Sequence, residues 1–349
     1  MSCRLLPLLS LILVSPSLAR AAAVGTTQPT AWPGGAAAAV SITMDDGYAS
    51  QWRLMAPMLE KRGFRGTFFL VTDWLDAEDH WPRWQVVAGQ GHEIGSHGVT
   101  HKPLSVLGTD AIMEELKRSR ELIQNALGPE HGQSFAFPLS AADESLARLA
   151  ANAGYGAARV AGDTINPEAP PEMHLVQAFH PSSETSVAEM TGWVDQVLES
   201  GGWLVIGVHG VMDPRHRYSE TQEGWEPVPM KHYAALLKRI SRARKHLWVA
   251  PFGEVSRFIR QRESASASVE EVSSSRIRVR LRGDDRGGPV ALHTSVPQAW
   301  SKVRVAVDGQ EPFTIAARRD AGSAAPRIVR YQAVPPARVV LSPARPPAR

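Results

Sequence analysis

Cysteine is almost missing from this chain of 349 residues: Cys3 is the one thiol, and it precedes an apolar run at the N-terminus. With no second cysteine there is no internal disulfide, and beyond residue 23 no thiol is available for catalysis or metal binding. Long hydrophobic runs are absent after that first segment, which excludes a later helical membrane span. A large excess of one charge sign is also missing. The chain has 38 basic and 35 acidic residues, a formal net charge of +3 and a pI near 9.1. Many arginines lie toward the C-terminus, but without the dense stripe expected of a nucleic-acid binder, so no nucleic-acid partner is expected. No G-x-S-x-G elbow occurs, which argues against a serine hydrolase. What remains is an ordinary globular composition, 43% hydrophobic and 21% charged, with room for a sizeable core.

The opening "MSCRLLPLLSLILVSPSLARAAA" combines a basic start, an apolar run and small residues. This is the layout of a signal peptide spanning 1–23, with cleavage after Ala19 or near Ala23, and it implies a soluble periplasmic or extracellular protein. Residues 24–35, rich in Gly, Pro and Thr, read as a linker. From 36 to 263 short apolar runs alternate with amphipathic stretches. The strands expected are 36–44, 66–72, 92–98, 134–140, 155–162, 203–210 and 247–254, and the helices 51–63, 110–128, 186–202 and 230–246. That rhythm argues for an α/β domain of parallel β-α units, closed as a barrel or left open. A Ser-rich connector at 264–275 leads to 276–349. There, alternation of period two predicts a small all-β domain with a disordered Pro/Arg tail.

Two stretches carry chemistry. "SITMDDGYAS" (41–50) sets Asp45 and Asp46 side by side at the end of an apolar run, where their repulsion calls for a cation or for water. "GHEIGSHGVTH" (91–101) spaces His97 and His101 four apart, so a helical turn would present both to one ion. Two imidazoles and a carboxylate from Asp45 or Asp46 form an open zinc-type set at the C-terminal rim of a β/α sheet. Each motif alone is common, Asp-Asp-Gly being an everyday turn.

In combination, "ITMDDGYASQW", "EIGSHGVTHKPL" and "WLVIGVHG" resemble three ordered motifs of the polysaccharide deacetylases (carbohydrate esterase family four, the NodB-homology group), over roughly residues 36–262. The resemblance implies a distorted (β/α) barrel, followed here by the small β domain. It implies a divalent ion on Asp46, His97 and His101, zinc being the expected metal and Co2+, Mn2+ or Fe2+ alternatives. Asp45 matches the catalytic base and His209 the general acid, with Pro138 and Leu139 where the family places an oxyanion donor. The implied substrate is an acetylated polysaccharide or oligosaccharide, cut at an amide or an ester. The chain departs from the pattern at Ala136, where the family has the arginine that holds the base, and at Gly98, where Ser or Thr is usual. Arg159 in "GAARVAG" is the candidate replacement for that arginine.

Trp74, Trp81, Trp84 and Trp225 are the tryptophans most expected at the surface, where they could line a glycan groove; packing in the core or a loop is the equal alternative for any one of them. His174, His180, His216 and His232 are expected to be surface or structural residues, since nothing pairs them at ligand spacing. The polar loop 209–229 is expected to shape access to the site, and the basic helix 238–246 to be a solvated face first and an anionic-glycan contact second. The competing reading is a glycan-binding protein that keeps the fold but has lost catalysis, supported only by the missing arginine.

Overall fold

The computed structural model describes residues 23–213, 224–284, 288–319 and 326–344. The expected signal peptide (apart from Ala23), the middle of the loop 209–229 with His216, and the last five residues of the tail lie outside them.

A short strand, β1 (Thr27–Pro29), precedes the parallel units. β2 (Ala38–Asp46) is buried at every position, as a strand covered on both faces must be. It is followed by β3 (Thr67–Leu70), β4 (Glu93–Ser96), β5 (Ser134–Ala136), β6 (Ala157–Ala161), β7 (Val176–Ala178) and β8 (Trp203–Val208). β2 to β7 pair in chain order, all parallel. β8 then returns to β2, from Ala39↔Trp203 to Met44↔Val208. Phe179 bridges the last gap: its N–H donates to Val205 O at 3.0 Å, and its carbonyl accepts from Gly207 N–H at 2.8 Å. Seven parallel strands thus close a ring. After it come the short parallel pair β9 (Val211–Met212) and β10 (Val228–Pro229). β11 (Leu247–Val249) then lines the first residues of β2, which β3 does not reach.

The helices bury one stripe each. Met230–Ala243 buries Tyr233, Leu236, Leu237 and Ile240, and Val187–Ser200 buries Met190, Trp193, Val194 and Val197. Both pack with β2 and β8 side chains in one cluster. The helix expected at 51–63 opens instead as a widened π-turn, Gln51–Met55, before Ala56–Glu60. Gln51 is drawn inward there, its amide nitrogen donating to the carbonyls of Asp45 and His209.

The C-terminal strands are β12 (Ser266–Val272), β13 (Ile277–Arg282), β14 (Val290–Val296), β15 (Lys302–Val307), β16 (Phe313–Ala316), β17 (Arg318–Arg319), β18 (Arg327–Ala333) and β19 (Ala337–Pro343). They form two sheets, β12-β13-β19-β15-β16 and β1-β14-β18-β17, enclosing one apolar core. Two expectations from composition give way here. Residues 24–35 carry β1, which pairs antiparallel with β14, and residues 264–275 carry β12. The strap after β1 joins this sandwich to the N-terminal ends of the barrel strands. Thr30 N–H donates to Ala291 O at 2.8 Å, Trp32 Nε1 donates to Gly201 O at 2.8 Å, and Arg262 donates to Ala31 O at 2.6 Å.

Candidate metal and hydrolytic centre

β2 delivers Asp45 and Asp46 to the C-terminal rim of the barrel, 2% and 3% exposed. Successive strand side chains diverge, and the backbone turns left-handed at Asp46 (φ 80°) and Gly47 (φ 93°). The two carboxylates therefore part and face different partners. For a non-glycine residue this conformation is strained, and surrounding contacts must hold it.

Asp46 faces the histidines. Its Oδ1 lies 3.5 Å from His97 Nε2 and 3.3 Å from His101 Nε2, yet this buried oxygen has no hydrogen-bond partner. The three donor atoms lie within 4.8 Å of one another. Donors held about 2.0–2.2 Å from a tetrahedral zinc ion stand at such separations, so these residues fit a divalent ion. Burial raises the Asp46 carboxyl, an effect that His97 and a Tyr48 hydrogen bond oppose. Burial lowers His97 and, with His97 beside it, brings His101 down to about 4. Both imidazoles are thus held in the neutral form that a metal requires.

The supports are specific. His97 Nδ1 donates to Ala136 O at 2.7 Å, which leaves Nε2 as the free lone pair. The segment from His97 to His101 is no helical turn, contrary to expectation: Gly98 (φ 83°) and His101 (φ 62°) are left-handed. Glu115 holds this loop, accepting from Val99 N–H at 2.7 Å, Thr100 N–H at 3.0 Å and the Thr100 hydroxyl at 2.5 Å. A Cβ at residue 98 would meet Glu115 Oε2 at 3.1 Å, so Gly98 leaves room for that carboxylate. Nothing in the sequence marked Glu115.

Asp45 faces the barrel interior. Its Oδ1 accepts a hydrogen bond from Arg159 Nη2, and its Oδ2 lies 3.4 Å from His180 Nε2. Arg159 is 2% exposed, stacks 4.9 Å over the Phe69 ring, and is lowered to about 9 by burial. It stands directly across from Ala136 in the β5–β6 register. The guanidinium therefore reaches the site from the neighbouring strand. His180, expected to be surface or structural, belongs to this cluster. Its Nε2 is 3.1 Å from Arg159 Nη1 and its Nδ1 is 3.0 Å from Ala178 O, while burial and Arg159 push it down to about 3. The signal that could have found it is its position just past the end of a barrel strand, the same as that of His97 and His209.

His209 follows β8. Its ring centroid is 5.7 Å from that of His180 and 5.0 Å from that of Trp225, edge-on, and burial, then His180, pushes it down to about 2. Trp74 lies 5.2 Å from the His101 ring on the other side. Trp74 and Trp225 are 38% and 59% exposed, whereas Trp84 is fully buried and Trp81 half-buried, contrary to expectation. Pro138 lies beside Gly98; Leu139 is left-handed (φ 53°) and 67% exposed on the rim.

Residues 34–158 match the family model "Polysaccharide deacetylase". The chain is 25% identical over 310 residues, 83% of its length, to a gellan lyase of a Bacillus species. It is 31% identical over 116 residues, 33% of its length, to the protein YlxY of Bacillus subtilis (strain 168). These alignments span 12% and 35% of those two relatives. A Mycobacterium smegmatis structure assigned to the polysaccharide deacetylases superposes with a TM-score of 0.51 at 17% identity, covering 69% of this chain and 96% of that one. This likeness extends to the fold alone. The family match and the closed seven-stranded ring agree: residues 34–158 carry a polysaccharide deacetylase match, set in a parallel β/α barrel.

Proposed function

We propose that the protein is a metal-dependent deacetylase that hydrolyses N- or O-acetyl groups on a polysaccharide or oligosaccharide. The observation that carries this is the divided aspartate pair. Asp46 turns an unpartnered oxygen between two Nε2 atoms, while Asp45 is held by a buried arginine. Asp46, His97 and His101 would hold the ion, zinc being favoured. When bound, such a cation supplies Lewis acidity toward a water and toward the acetyl carbonyl.

Asp45 then takes the proton of the attacking water, fixed in direction by Arg159. His209, neutral in the resting site, would take up the proton that Asp45 removed from the water as negative charge builds on the tetrahedral intermediate, and would pass it to the departing amine or hydroxyl as the carbon–oxygen or carbon–nitrogen bond breaks, so protons balance over a turnover. Leu139, on the turn after Pro138, is the rim position for stabilising the developing oxyanion. Trp74 and Trp225 offer exposed indole faces on two sides of the centre, suited to stacking on sugar rings. Ala136, the one feature favouring a non-catalytic glycan-binding protein, is answered by Arg159. Export rests on the sequence of residues 1–23, and the N-terminal mass of the secreted chain tests it.

The deciding experiment is acetate release from chitin oligomers, peptidoglycan fragments, acetylated xylan and an aryl acetate, with and without chelator and restored zinc. Release that stops with chelator, returns with metal and is lost in Asp45→Asn is expected. Silence on every substrate with no zinc bound at the site would support the glycan-binding protein instead.

A further inference from the structure

The five-stranded sheet of the C-terminal sandwich presents one face to its core and one to solvent. Its strands carry six basic residues, Arg278, Arg280, Arg282, Lys302, Arg304 and Arg338, against two acidic ones, Glu270 and Glu271. Their neighbours in the strands, Val279, Leu281, Val303, Val305 and Val339, are fully buried. Strand alternation therefore sends all six cations to the outer face.

Compensation on that face is partial. Arg278 pairs with Glu271, and Arg280 with Glu270. Arg282, Lys302, Arg304 and Arg338 have no carboxylate partner among the described residues. Arg338 stands directly opposite Arg280 in the β13–β19 register, an arrangement of like charges that costs stability unless an anion lies between them. Asp308 is close by, but its Oδ2 accepts from the Arg338 backbone N–H at 3.0 Å.

Four of the six cations line two clefts, three in one and Arg304 alone in the other. Arg280, Arg282 and Arg338, with Asp308 the one acid among them, line one of about 250 Å³. Arg304, Thr314 and Ser342 line another of about 540 Å³, with Ser342 facing Arg304 across β15–β19. Residues 338 and 342 are four apart on β19, so the clefts are separated by about 13 Å along the strand. A single small anion would fill only one cleft, whereas a chain with repeated anionic groups would reach both. Arginine forks suit planar carboxylates in particular. β13, β15 and β19 carry no aromatic residue on which a nucleobase would stack.

We propose that this face binds an acidic polysaccharide, a chain of sugars bearing repeated carboxylates, and tethers it to the enzyme away from the catalytic rim. The choice of a polysaccharide rests on the deacetylase reading; the charge and spacing arguments do not.

The test measures binding of the full chain to polygalacturonate, to its neutral methyl ester, to monomeric galacturonate and to duplex DNA by calorimetry at two salt concentrations. The polymer should bind, more weakly at high salt, and the neutral ester should not. The monomer, and the polymer on the triple variant R282A/R304A/R338A, should each bind weaker by on the order of tenfold or more. Release of acetate from an aryl acetate by that variant should be unchanged. Equal binding of the ester, salt-independent binding, or full affinity in a folded triple variant would overturn the proposal, and tighter binding of DNA would reassign the face. If the variant does not fold, the ester and salt comparisons on the unaltered chain decide. Polymer binding without acetate release on any substrate would sink the deacetylase reading and leave this one standing.

Discussion

Asp45 and Asp46 are neighbours in sequence but face different partners because the backbone turns left-handed at Asp46 and Gly47. The arginine that holds Asp45 makes the most specific residue-scale prediction. Ala136 and Arg159 are partners in a parallel register and both are buried, so both side chains project to the same face of the β5–β6 ladder. Arg159→Met should reduce turnover by roughly 10²-fold, the scale of a general base that loses its orientation, while leaving zinc affinity nearly unchanged. Adding Ala136→Arg to that variant should restore part of the loss by supplying the guanidinium from the next strand. Steady-state rates with a calorimetric zinc titration check both. A zinc affinity that falls in step with turnover would mean that Arg159 supports the whole centre and not Asp45 in particular.

At the scale of elements, the strap that follows β1 does more than its composition suggests. Trp32 is 1% exposed, its ring centroid 6.1 Å from Trp248 and 6.4 Å from Phe258, with the Arg262 guanidinium 5.8 Å above it. Trp32→Ala should cost roughly 3–5 kcal/mol, as large-to-small changes at buried aromatics do. Denaturant unfolding would read this as a lower midpoint; a midpoint within error of the parent would show that the strap is dispensable. This strap also shows which features a sequence does not carry locally. The barrel strands were visible as apolar runs, and Asp46, His97, His101 and His209 as motifs, because those signals are local. β1 has three residues and exists through its register with β14, more than 260 residues away. Gly/Pro/Thr composition carries no trace of such a pairing. Arg159 was legible only as an arginine on a buried strand, since the register that brings it to Asp45 belongs to the assembled sheet. Glu115 was unreadable for the same reason: on its helix it is one acidic residue among several.

At the scale of the whole molecule, the buried histidines set how the protein responds to acid. His92 is 1% exposed; its Nδ1 accepts from Gly66 N–H at 3.0 Å, and burial, then Arg65, lowers it from 6.5 to about 4. His101 falls to about 4 and His180 to about 3, chiefly through burial. In the unfolded chain each returns to near 6.5. Between about pH 6.5 and 4 the unfolded state therefore binds more protons than the folded one, and stability must fall as pH falls. Each such histidine contributes up to about 1.4 kcal/mol per pH unit. Asp46 and Glu254 act in the opposite sense, since burial raises both carboxyls, so they offset part of the loss at the acid end. Full stability is expected above pH 6.5, where the histidines are neutral in both states. Melting curves of the chelator-treated protein from pH 7.5 to 4.5 should show a steady loss beginning near pH 6.5. His92→Asn, which removes one titrating ring remote from the rim, should reduce the slope by about one histidine's share. A melting temperature that is flat across this range, or that rises toward acid, would mean that the folded protein admits protons to these rings and that their burial is not maintained in solution.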